Sequence, residues 1–273
     1  MTGEGVIPVA VGLALMGGIY GIVRLSRRLW PLLPGRRVTF LREPVPETWT
    51  AIIHQRVLLT RRLSQEEKGR LLRLAQLLLH EVPIEGCNGL AVTETMRVTI
   101  AATACLLLLH LPYPRFPTLR RILLYPDTFV PRRVASRLDR GIHTAPEPLL
   151  GEAHQDGVVI LSWDSILARD DGHNVVLHEF AHVLDSEDGS FNGIPMIEGA
   201  LLAEWGRVLA EEFTRAQEGL ESDDEPALDD YAATNRAEYF AVATEAFFEE
   251  PERLRQRLPE VYEQLRRFYR RPA

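Results

Sequence analysis

From Ser64 onward, leucines recur at helical spacing. Leu71, Leu72, Leu74, Leu77, Leu78 and Leu79 form the apolar face of an amphipathic helix that ends near Glu81. Its start is marked by Ser64-Gln65-Glu66-Glu67, a serine N-cap with glutamate at the reciprocal position of a capping box. Trp49 to Leu59 reads as a short helix before it. Val92 to Leu111 carries a longer apolar run, with Ile100, Ala101, Ala102, Ala104 and Leu106 to Leu109. Thr95, Arg97, Thr99 and Thr103 interrupt that run, so it predicts a buried core helix and not a membrane span.

Beyond this helix the pattern shortens. Ile122-Leu123-Leu124-Tyr125 ahead of Pro126 predicts a strand. A hairpin follows: Glu152 to Gln155, the turn Asp156-Gly157, then Val158 to Leu161. Asp-Gly favours the tight turn whose twist matches two paired strands. Residues 158–163 could then offer a strand edge to which an extended peptide adds. Asp170-Asp171-Gly172 supplies an N-cap for a helix through His178 that ends near Ser186 to Gly189. Glu198 to Leu220 predicts another amphipathic helix, and the acidic stretch Glu221 to Asp230 a solvated loop. Thr234 or Asn235 caps a helix running to about Glu249 and stopped by Pro251, and a last helix covers Pro259 to Arg271. The sum is an α+β fold, mostly helical, with a small antiparallel or mixed sheet.

The amino terminus is different material. Val6 to Val23 holds eighteen residues without a charge, near the lower limit for a helix that crosses a bilayer. Arg24, Arg27, Arg28, Arg36 and Arg37 follow it, whereas Glu4 is the only charged side chain before it. That order is wrong for a secretory signal peptide. It is right for an N-terminal apolar helix whose arginine-rich flank stays inside. Residues 1–30 are therefore expected to be a membrane anchor that holds the protein on the cytoplasmic face of the cell membrane. The alternatives are a cytoplasmic protein whose apolar helix docks on its own domain, and an apolar helix lying in the membrane interface. Residues 31–58, with Pro31, Pro34, Pro44 and Pro46, are expected to be a linker and short helix, and 59–273 the main domain.

Bulk composition narrows the partners. The net charge of −7 argues against nucleic acid, which demands a concentrated basic surface. Cys87 and Cys105 are the only cysteines, too few for a disulfide framework, and are expected to be small buried residues.

The chemistry lies in His178-Glu179-Phe180-Ala181-His182. On a helix, His178 and His182 stand one turn apart on one face and can grip one zinc ion, while Glu179 beside them can act as base on an activated water. A catalytic zinc needs a third protein ligand. The extended pattern H-E-x-x-H-x-x-G-x-x-H is excluded, since Asp185 and Asp188 occupy its glycine and third-histidine positions. Glu198, Glu204, Glu238 and Glu245 are the downstream carboxylates, and spacing alone does not choose between them. Asp185 either orients a ligand histidine by accepting its other ring N–H or is a polar residue ending the helix. His154 and His173 have no assigned role.

Asp230-Tyr231-Ala232-Ala233-Thr234-Asn235-Arg236-Ala237-Glu238-Tyr239-Phe240-Ala241 resembles the second motif of the Mlc titration factor A family of zinc peptidases. It is also similar to the corresponding stretch of the anthrax lethal factor catalytic domain. The first motif with Asp185 resembles both families, and Leu161-Ser162-Trp163 and Phe247-Phe248 to Pro251 resemble the titration factors. The resemblance runs from about Leu59 to Tyr269. It implies a zincin-type metallopeptidase domain with Zn²⁺ held by His178, His182 and Glu238. It further implies Glu179 as the base and Tyr231 as the phenol that donates to the oxyanion. Glu245 either supports the site or makes a surface pair. Aminopeptidase-type cleavage and a regulatory role also come with the family, whose partner is Mlc, a DNA-binding repressor of sugar-uptake genes. The apolar amino terminus departs from the titration factor pattern. The rival expectation is an interaction protein that sequesters such a repressor and keeps its metal site for structure.

Overall fold

The helix that carries His178 is boxed in by other elements on several sides. The computed structural model describes residues 44–112, 114–127, 151–154, 157–168, 173–197, 199–219 and 227–270. From Val45 onward these belong to one unit, Val45–Ala273. The expected anchor at 1–30 and most of the linker lie outside the described residues, as do the acidic residues 221–226. Among the described residues no helix is long and apolar enough to cross a membrane.

The first layer is helical. α1 (Glu47–Arg56) is followed by a 3₁₀ turn, Leu58–Arg62, and by α2 (Gln65–Glu81). The capping box of α2 forms as its sequence predicts: Ser64 Oγ accepts from the Glu67 N–H at 3.2 Å, and Glu67 Oε2 accepts from the Ser64 N–H at 2.7 Å. α3 (Glu94–Cys105) is the buried helix, and Val98, Ile100, Ala101, Ala102 and Ala104 are wholly inside. It ends at Cys105, earlier than the apolar run, and Leu106 to Leu109 continue as buried turns. The hydroxyls of Thr99 and Thr103 are satisfied by the carbonyls one turn back, at 2.7 and 2.9 Å, which is how polar residues sit in this core. Cys105 is buried and Cys87 only half-buried, and both are free thiols.

The sheet has four strands: β1 (Ile84–Gly86), β2 (Arg121–Tyr125), β3 (Gly151–His154) and β4 (Val158–Ser162). Their order is β1-β2-β4-β3, with β1, β2 and β4 parallel and only β3 antiparallel to its neighbour β4. The sheet is therefore mixed, and the antiparallel alternative is corrected. Parallel pairing needs long crossovers, and α3 lies within the one between β1 and β2. The predicted hairpin is present as the β3–β4 pair, in which His154 faces Val158 across three intervening residues. Gly157 closes it at φ +76°, where a side chain would also strike the Thr118 carbonyl. β4 is flanked on both sides, so it offers no free edge to a peptide. The edge strand beside it is β3.

After α4 (Trp163–Leu167) come α5 (Val175–Asp185) with its 3₁₀ extension Ser186–Asp188, and α6 (Ala200–Gly219). A 3₁₀ turn, Asp230–Ala233, leads into α7 (Arg236–Glu249), α8 (Pro251–Arg257) and α9 (Pro259–Phe268). The N-cap of α5 is Asn174, whose Oδ1 accepts from the Leu177 N–H at 3.2 Å. The predicted cap residues 170–172 lie outside the described residues. Pro251 ends α7 as expected but also opens α8, because proline at the first helical position loses no hydrogen bond. Val175, Val176 and Val183 are poor helix formers. Burial of α5 against α3, α7, β3 and β4 compensates for that.

Candidate metal centre

α5 and α7 together build one cluster. His178 and His182, four residues apart on α5, point Nε2 into the same space, 3.2 Å from each other. Glu238 brings Oε2 to 3.1 Å from each of those nitrogens. It occupies the first turn of α7, where its backbone N–H donates to the N-cap Asn235 at 3.0 Å. Among the described residues this is the only group of three or more His, Cys, Asp or Glu side chains that could hold a metal ion. The other downstream carboxylates are accounted for: Glu204 pairs with Arg267 at 2.7 Å, Glu245 binds the outer face of His178, and Glu198 lies outside the described residues.

The donor chemistry fits a metal. Three edges of 3.1–3.2 Å compare with roughly 3.4 Å for a tetrahedron with bonds of about 2.1 Å. His178 Nδ1 is turned to Glu245 Oε1 at 2.5 Å, which places its proton there and leaves the Nε2 lone pair facing the cluster. Lone pairs brought this close repel one another unless a cation lies between them. Burial opposes a charged His178, yet hydrogen bonds to Glu238 and Glu245 outweigh it and lift its pKa well above the usual histidine value. Burial likewise pushes the Glu238 carboxyl up, but hydrogen bonds with His178 and His182 pull it down to about 2.

Glu245 makes no surface pair. It is 6 % exposed, and its second oxygen accepts the Asn174 N–H at 2.7 Å. Asn174 in turn donates its side-chain amide to Glu249 Oε1 at 2.7 Å. Asp185 makes no hydrogen bond to either histidine of the cluster. Its Oδ2 accepts the Gly193 N–H at 3.0 Å, while His182 Nδ1 is buried without a hydrogen-bond partner. Burial pushes the Asp185 carboxyl up to about 6, against the pull of the Gly193 N–H and the His182 charge.

Glu179 is buried at 3 % exposure, and Tyr231 is 41 % exposed on the 3₁₀ turn before α7. Both line one cleft of about 810 Å³ together with His178, His182 and Glu238. Tyr231 lies beside His178, ring centroids 6.0 Å apart. Asp229 caps its turn by accepting the Tyr231 N–H at 2.8 Å, and also lies 3.7 Å from His173. The rest of the cleft includes Phe191, Asn192, Phe213, Gln217 and Arg236. Sequence reasoning overlooked Asn174 and Gly193. Asn174 had a legible signal, as an asparagine directly before the first helical residue.

A family model described as "Glucose-regulated metallo-peptidase M90" matches residues 33–270. An uncharacterized protein of Synechocystis sp. is 35% identical over 272 residues, covering 96% of this chain and 97% of its own, so the likeness reaches into the amino-terminal segment. Mlc titration factor A of Serratia proteamaculans is 34% identical over 213 residues, 76% of this chain and 81% of its own. Mlc titration factor A of Edwardsiella ictaluri is 33% identical over 213 residues, 76% and 82% of the two chains. The expected kinship with the titration factors holds, and membership of a metallo-peptidase family implies a metal ion. The chain belongs to the glucose-regulated metallo-peptidase M90 family.

Proposed function

We propose that the protein is a zinc-dependent peptidase acting from the cleft between Tyr231 and the α5–α7 cluster. The observation that carries this reading is the convergence of His178 Nε2, His182 Nε2 and Glu238 Oε2 beside a buried Glu179. Zinc bound there supplies Lewis acidity toward a peptide carbonyl and lowers the pKa of a coordinated water. The protein's own groups do the rest. Glu179, next to a ligand on the helix, takes the water's proton and hands it to the leaving amine. The Tyr231 phenol donates a hydrogen bond to the carbonyl oxygen as charge gathers on it, which favours the transition state over the ground state. An extended peptide can add to the edge strand β3, which packs against α5.

Aminopeptidase-type cleavage and a regulatory target are part of the same proposal. The relatives' printed name points to a Mlc-type repressor as partner. Residues 6–23 anchor the chain, so that the cleft works on the cytoplasmic face of the membrane. A net charge of −7 supports a peptide or protein partner over nucleic acid.

Glu179→Gln tests the mechanism. The variant should keep its zinc and lose peptide cleavage by about 10² to 10⁴-fold, the usual worth of a general base. Unchanged turnover in a zinc-loaded variant would sink the mechanism, and retained repressor binding without any cleavage in the wild type would favour the sequestering role.

A further inference from the structure

The imidazole of His178 is bracketed at both ends by carboxylates of a single helix. Glu238 Oε2 stands 3.1 Å from Nε2 and Glu245 Oε1 stands 2.5 Å from Nδ1. Seven residues separate the two glutamates, two turns of α7, so both project from one side of it. Glu245 is nearly inaccessible, and a buried carboxylate is tolerated only when its oxygens are satisfied. Both are: one by His178, the other by the Asn174 N–H at the start of α5, where the helix dipole also favours a negative charge. His182 has no such support, since its Nδ1 makes no hydrogen bond.

We propose that Glu245 is the positioning residue of the metal centre: it fixes the tautomer and rotation of His178 and sets its register against Glu238 through α7. This rests on the reading that His178 holds the metal. His178 is then the anchored ligand, and His182 is the ligand with no hydrogen bond behind it. Asn174 and Glu249 are the neighbouring clamp. They steady the start of α5 without touching the imidazole.

The experiment compares Glu245→Gln, Glu245→Ala and Asn174→Ala in the full-length protein. Zinc affinity is measured by chelator competition, the visible spectrum with cobalt(II) in place of zinc, and Tm without metal. Glu245→Ala should weaken zinc binding about 10 to 100-fold, with the isosteric Glu245→Gln losing less but in the same direction. Both should move the cobalt band. Asn174→Ala should lower Tm while leaving zinc affinity and the cobalt spectrum near wild type. If Glu245→Gln and Glu245→Ala bind zinc as the wild type does, the proposal fails. It also fails if Asn174→Ala loses as much affinity as Glu245→Ala, because the effect then runs through the helix start. A wild type that binds no zinc would overturn the metal reading itself, an outcome recognisable before any variant is made.

Discussion

Asp185 is a carboxyl buried to the last atom at the end of the helix that carries His178 and His182. Burial lifts its pKa to about 6 from an ordinary value near 3.8, so the fold holds its proton more tightly than the unfolded chain does. Between about pH 4 and pH 6 the native state binds more protons, and stability must fall as pH rises through that window. The size is of the order of 1–3 kcal/mol. Asp185→Asn keeps an acceptor for the Gly193 N–H and removes the titration. In chemical denaturation of metal-free protein, the variant should gain on the wild type as pH rises from 4 to 7. Parallel curves for the two would show that Asp185 does not titrate in this window. At this scale the sequence was partly legible. The i,i+4 histidine pair and Glu179 follow from helical geometry. Glu238 did not, since four carboxylates had acceptable spacing; only the family resemblance singled it out, and the packing of α7 on α5 is what brings it to the two histidines. Glu245 was left between site support and a surface pair, because its role depends on which face of α7 meets α5.

Elements meet at Gly193. Its N–H reaches Asp185 at the end of α5, its carbonyl accepts the Trp205 indole N–H of α6 at 3.0 Å, and its Cα lies against the Arg236 carbonyl at the start of α7. The backbone there is left-handed, φ +76°, and an added Cβ would come within 2.2 Å of that carbonyl oxygen. Gly193→Ala should cost at least about 1–2 kcal/mol from the dihedral alone. That corresponds to a Tm drop of about 2–4 °C or more, with the start of α7 and hence Glu238 displaced. A Tm within a degree of wild type would show that the junction yields freely. Helices with caps and amphipathic faces were readable from the chain, as Ser64 and Asn235 show. α4, α8 and β1 were not: elements of three to seven residues carry too little periodicity. The parallel order β1-β2-β4 was out of reach because it depends on crossovers and not on any local pattern.

For the whole molecule, the proposed anchor makes a separate prediction. Intact chain should sediment with membranes, and chain lacking residues 1–30 should stay in the supernatant with its catalytic behaviour unchanged. Intact chain found wholly in the supernatant would refute the anchor. The metal centre also has an architectural consequence. His182 and Glu238 are 56 residues apart in sequence, and α6, the Gly193 junction and the Tyr231 turn all lie between them. An ion gripped by both ends closes that stretch into a loop, as a removable staple would. With zinc as that ion, opening α5 from α7 would mean surrendering it, and free zinc at a thousandfold excess over Kd would add about 4 kcal/mol to the stability of this half of the protein. A site placed across two helices distant in sequence would make one ion both the reagent and the fastening of the proposed peptidase.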